Sequence, residues 1–219
     1  MGAITIEKAN HSFWLGRYLE RVYTTTLHYM NIFDTMLDQD DQLYIQYCQQ
    51  LDIPNIYFNE AHFMMSYLYD MDNPDSIACN LKRAYDNAII LREDISSKLL
   101  SYIQMGVNTF ETISESEAPV LLLQNVLDDI LAFKGGMEEY IDDNAALNII
   151  KLGEYIERLD LYVRLDYPID QITKNEYKLL DVSNELYTKT LLLQELDLET
   201  IYKSSLIDYI HKVTNAFNY

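Results

Sequence analysis

Several things are scarce in this 219-residue chain, and each shortage narrows what it can be. Six glycines and four prolines leave few positions at which a helix must break, which argues against a loop-rich or disordered chain. Two cysteines, Cys48 and Cys79, have no CxxC or metal-type spacing and fit a reducing, cytoplasmic setting as small core residues. No apolar run approaches the roughly 20 residues that span a bilayer, and Met1 to Asn10 lacks the apolar core of a signal peptide. Basic residues are few: 16 Lys and Arg face 35 Asp and Glu, for a net charge of −19. Such a surface repels phosphate backbones and anionic lipid, so neither nucleic acid nor membrane is expected as a partner.

Catalytic and metal signatures are missing as well. There is no phosphate-cradling glycine loop, no Gly-x-Ser-x-Gly elbow and no dinucleotide fingerprint. A di-iron bundle needs Glu-x-x-His pairs, and none occurs. His11, His28, His62 and His211 are scattered, so no metal and no cofactor is expected.

What is present is a repeat. Leu15-Gly16-Arg17-Tyr18-Leu19-Glu20-Arg21 returns as Leu152-Gly153-Glu154-Tyr155-Ile156-Glu157-Arg158, at a constant offset of 137 residues. Both copies lie in stretches with helical spacing of apolar residues, so one supersecondary unit is used twice. A third stretch, Asn80 to Ser97, carries an adjacent Arg92-Glu93. With β-branched alternation and hairpin turns absent, the fold class is all-α: a helical bundle with an internal duplication of a Glu-Arg motif helix.

The helices can be placed in order. The first is expected over about 4–36, ended by the acidic stretch Asp38 to Asp41. Short ones follow over 42–51 and 60–69, the second rich in Met and aromatics. Asn73 should cap the next with Pro74 at its first position, and that helix should run, bent or broken, past Gly106 to Ile113. Ser114 to Pro119 is a polar turn opening a helix over 120–133, which Gly135-Gly136 should stop. The second motif helix is expected over 145–166, introduced by Asp142-Asp143-Asn144. A capping box at Thr173 to Glu176 should open a helix to about Leu193, and Asp197 should cap the last, to about Ala216.

Charge is unevenly spread. Between Arg21 and Lys82 there is no Lys or Arg, while nine acidic residues occur from Asp34 to Asp75. All six arginines lie in or beside the three related segments. Adjacent residues on a helix point about 100° apart, so Glu20 cannot lie flat against Arg21, nor Glu157 against Arg158. Two motif helices packed antiparallel about a pseudo-twofold axis would instead let Glu20 meet Arg158 while Glu157 meets Arg21. Gly16 and Gly153 would let the backbones approach. The candidate cluster is Arg17, Glu20, Arg21, Arg83, Asn87, Arg92, Glu93, Glu157 and Arg158. It reads either as structural ion pairs or as an arginine-lined site for a carboxylate or phosphate.

These residues resemble the bacterial alpha-E domain, a helical family marked by a Glu-Arg motif. The resemblance rests on Ser12 to Arg21, on Asp72 to Ile77 with Arg83, Asn87, Arg92-Glu93 and Ile95-Ser96-Ser97, and on Phe133-Lys134-Gly135 with Leu152 to Arg158. It runs over about 10–165 of one helical domain, 1–219, and leaves 168–219 as a divergent helical tail. Arg17 departs from the repeat, having Glu154 as its counterpart. The resemblance implies a helical accessory module, with an ATP-grasp ligase or a transglutaminase-like protein as partner, in systems that make or modify amide bonds. The alternatives are an all-helical enzyme acting on a small anion through an arginine-lined pocket, and a structural homo-oligomer.

Overall fold

A computed structural model describes residues 4–38, 42–113, 119–189 and 206–217. Among these residues every regular element is a helix and none is a strand. They are α1 (Ile6–Asp38), α2 (Leu43–Leu51), α3 (Glu60–Tyr69), α4 (Ile77–Ile90), α5 (Arg92–Ile113), α6 (Pro119–Tyr140), α7 (Asn144–Arg164), α8 (Ile169–Lys189) and α9 (Leu206–Ala216).

The two motif helices, α1 and α7, form a spine between two apolar cores. Leu15, Leu19 and Val22 of α1 and Ile150 and Leu161 of α7 join α2 to α6 in the larger core. Ala9 and Phe13 of α1 and Ile149, Leu152, Ile156 and Leu159 of α7 face α8 and α9 in the smaller. Both helices are therefore apolar on two sides, and the polar motif residues are held in the seam between them.

That seam is parallel, not antiparallel. Lys8 reaches Asp143, Gly16 faces Ile150 and Glu154, and Glu20 reaches Arg158, so contacts advance together along both chains. The pseudo-twofold axis therefore runs along the helices rather than across them. The glycines make the approach close. A Cβ on Gly16 would overlap the Ile150 carbonyl oxygen, and one on Gly153 would overlap that of Phe13.

Local boundaries moved where a nearer group satisfied the backbone. Ser76, not Asn73, caps α4: its hydroxyl accepts from Cys79 N at 3.0 Å, while the Asn73 side chain accepts from Asp75 N in the preceding turn. Pro74 consequently lies before the helix. α5 is separate from α4, and Ser96 kinks it with φ 66°. α6 runs through Gly135 and Gly136 without stopping. Neither glycine has positive φ, and a Cβ on Gly136 would come within 2.9 Å of Leu99 Cδ2, so the missing side chain serves helix packing. Asp143 caps α7, its carboxylate accepting from Ala145 N at 2.9 Å and Ala146 N at 3.4 Å. α8 begins at Ile169, ahead of the expected capping box, because the Pro168 carbonyl already accepts from Gln171 and Ile172. The acidic stretch at 39–41, the turn at 114–118, the end of α8 near Leu193 and the Asp197 cap lie outside the described residues.

Candidate functional site

The seam between α1 and α7 holds two charge clusters related by the repeat. In the first, Glu20 is completely buried. Arg158 grips it with a two-pronged bond, Nε to Oε1 and Nη2 to Oε2, both 2.7 Å. Lys134 of α6 donates to the same carboxylate, and Thr24 donates to Oε1 at 2.9 Å. Arg158 also reaches Glu154 at 2.5 Å and the Asn175 side chain at 3.3 Å. Tyr23 lies under the Lys134 ammonium, 4.4 Å from ring centre to nitrogen. Two carboxylates thus face two cations, and the charges balance. Burial pushes the Glu20 carboxyl upward, but Lys134 and Arg158 outweigh it and hold the group below its ordinary value.

In the second cluster the carboxylate is Glu157, 1% exposed, and its partners come from α1. Arg17 Nε donates to Oε2 at 2.6 Å, with Nη2 at 2.5 Å from the same oxygen, and Arg21 Nη1 donates to Oε1 at 2.7 Å. Arg17 Nη1 donates onward to Thr214 of α9 at 2.7 Å. Burial again pushes the Glu157 carboxyl up, and the two arginines hold it below its ordinary value. Here two guanidiniums share one carboxylate, because the counterpart of Glu154 is Arg17.

This second cluster opens onto a cleft of about 340 Å³. Arg17, Arg21 and Arg83 line it with Glu157, Asp75, Trp14 and Tyr18. The Arg17 guanidinium lies 5.3 Å from the Trp14 ring centre, and that of Arg83 lies 5.8 Å from Tyr18. Arg83 Nη1 donates to the Pro74 carbonyl at 3.0 Å. Three guanidiniums meet two carboxylates, so the cleft is a cationic spot on a strongly acidic chain.

The candidate residues divide accordingly. Glu20 and Arg158 form the closed cluster; Arg17, Arg21 and Glu157 form the open one, with Arg83 across the cleft. Asn87 lies one turn beyond Arg83, donates to its carbonyl at 2.8 Å, and holds the His11 ring at 2.8 Å. Arg92 and Glu93 do not join: they are exposed at the start of α5 and pair with each other at 3.4 Å. Nine residues beyond Arg83, Arg92 falls on the opposite side of the helical path. Sequence reasoning left out Lys134, Glu154, Trp14, Asp75 and Thr214. Glu154 is signalled as the counterpart of Arg17, and Lys134, Trp14 and Asp75 by their places in Phe133-Lys134-Gly135, Ser12 to Arg21 and Asp72 to Ile77; Thr214 carries no signal. No group of three potential metal ligands converges among the described residues.

Fold and site together define an all-helical protein built on a duplicated Glu-Arg helix. The chain belongs to the Alpha-E family, a predicted alpha-helical domain with a conserved ER motif, whose model matches residues 7–210. The match reaches beyond 10–165 and takes in most of the tail. No curated protein and no solved structure matches the chain. No described helix is long and apolar enough to cross a membrane.

Proposed function

We propose that this chain is a binding module whose arginine cleft holds the carboxylate or phosphate of a ligand, in partnership with an amide-bond-forming ligase of ATP-grasp type. The observation that carries the reading is the convergence of Arg17, Arg21 and Arg83 on one cleft. Arg17 and Arg21 are fixed by Glu157, so their forks are oriented before a ligand arrives. Arg83 supplies the adaptable third, and Trp14 and Tyr18 give the cleft an aromatic wall.

Binding fits the cleft better than turnover does. Glu157 is held ionised and saturated by two arginines, which makes it a poor proton acceptor. The Cys48 thiol is pushed up to about 11 by burial and does not line the cleft, so it is no nucleophile there. An enzyme acting on a small anion would have to use Asp75, the other carboxylate of the cleft. The partner ligase would supply the carboxylate activation for which this chain has no phosphate-cradling loop.

Calorimetry with inorganic phosphate, and with a short peptide carrying a free C-terminal carboxylate or its amide, tests the reading. Phosphate or the free carboxylate should bind, and the amide should not. Arg83→Gln should weaken binding by about tenfold or more, since one charge-assisted arginine contact is worth about 1.5–3 kcal/mol. Its melting temperature should not change, because Arg83 lies outside both buried clusters. Failure of both anions to bind, or an Arg83→Gln variant that binds as tightly as the parent, would overturn the proposal. Turnover of a small anion by this chain alone would favour the enzyme.

A further inference from the structure

The arginine cleft accounts for the seam but not for the face made by α2, α3 and the loop between them. That face carries a groove of about 670 Å³, lined by Tyr44, Phe58, Glu60, Met64 and Met65 among others, and it shares no lining residue with the cleft. Phe58 is 86% exposed and Met65 55%. A neighbouring side chain holds Phe58 in place. Its ring stacks on His62 at 4.8 Å and 17°, and its backbone N–H donates to His62 Nδ1 at 3.3 Å. His62 is fixed in turn, its own N–H donating to the Asn59 cap at 2.8 Å. The exposed ring is therefore presented in one orientation, which lowers the ordering cost of docking onto it.

The charge that lines this groove is negative. Glu60 is the charged residue among those lining it, Asp72 is exposed nearby in the chain, and no Lys or Arg occurs from Val22 to Leu81, while Asp52 is already paired with Arg164 at 3.8 Å. An apolar groove with flexible methionines between two helices suits an amphipathic helix, laid in by its apolar stripe. The acidic surroundings require that helix to be basic on its flanks. A second copy of this chain is a poor occupant, because it would bring a net charge of −19 against the same charge. We infer that the α2–α3 groove is a docking site for a basic amphipathic helix of another protein, with Phe58 and Met65 as its apolar anchors.

The probe is a synthetic amphipathic helix of leucine and lysine, with a leucine and glutamate peptide as control, titrated by fluorescence anisotropy. The lysine peptide should bind, and binding should weaken as salt rises from about 50 to about 500 mM. Phe58→Ser should weaken it by about tenfold or more, as expected for a central apolar anchor. That substitution leaves the net charge and the buried core untouched, so the melting temperature should hold. Equal binding by Phe58→Ser would mean that bulk acidity alone attracts the peptide, and would overturn the inference. Equal binding of the glutamate peptide would overturn it too. So would a concentration-dependent dimer that Phe58→Ser disperses, since the groove would then belong to a second copy.

Discussion

Glu20 and Glu157 occupy equivalent positions in a repeated helix, yet one is sealed and the other borders a cleft. Around Glu20 the charges balance, with Arg158 and Lys134 against Glu20 and Glu154. Around Glu157 the second carboxylate is replaced by Arg17, and Arg83 adds a further cation across the cleft. One substitution in a symmetric frame thus separates a purely structural cluster from one with cationic capacity left over. Buried ion pairs specify register better than they add stability, and the closed cluster suits that task. The open one keeps the same frame and gains access to water.

The sharpest way to break this pairing is to remove each glutamate in turn. Glu20→Ala leaves the largely buried Arg158 and Lys134 with Glu154 as their one remaining carboxylate, and should cost about 3–5 kcal/mol. Glu157→Ala leaves Arg17 and Arg21 beside a cleft that admits water, and should cost less, about 1.5–3 kcal/mol. Chemical denaturation of the two variants measures the difference, and equal losses would mean that the clusters are not closed and open. A double-mutant cycle of Glu20 with Arg158 should show strong coupling.

The glycines probe the frame that both clusters share. Gly16→Ala and Gly153→Ala each place a Cβ against a backbone carbonyl of the opposite helix, which no rotamer can relieve. Helix propensity gains up to about 1 kcal/mol in each, but the overlap costs about 1–3 kcal/mol or more, so the net effect is destabilising. The two variants should lose similar amounts, in contrast to the two glutamates. A stabilised Gly16→Ala protein would contradict the close parallel approach.

Acid gives the smallest and most graded effect. Glu20 and Glu157 are both held below the ordinary 4.5, so the unfolded chain binds more protons than the folded one once pH falls into that range. Their contribution is complete above about pH 4.5 and is lost as pH falls through the depressed values. Self-repulsion of the −19 surface eases on the same descent, so stability should hold or rise toward about pH 5 and then drop. Thermal melts from about pH 7 to about pH 3 would show this, and Glu157→Gln should drop less steeply than the parent.

The sequence by itself determined the all-helical class and the twin motif helices; the cross-pairing of Glu20 with Arg158 and Glu157 with Arg21 holds, but about an axis along the helices and not the antiparallel one expected. The class and the twin helices follow from apolar periodicity and from a 137-residue offset, both of which are local or additive properties of a chain. Tertiary structure decided the rest. Whether two similar helices run parallel depends on how the intervening α2 to α6 return the chain, which no motif encodes. Gly135 and Gly136 read as a stop because glycine weakens helices, but packing of α6 against Leu99 outweighed that propensity. Arg83 and Arg92 looked alike in the sequence. Nine residues of helix set them about 180° apart, and the packing of α4 against α1 decided that Arg83 borders the cleft while Arg92 stands exposed at the start of α5.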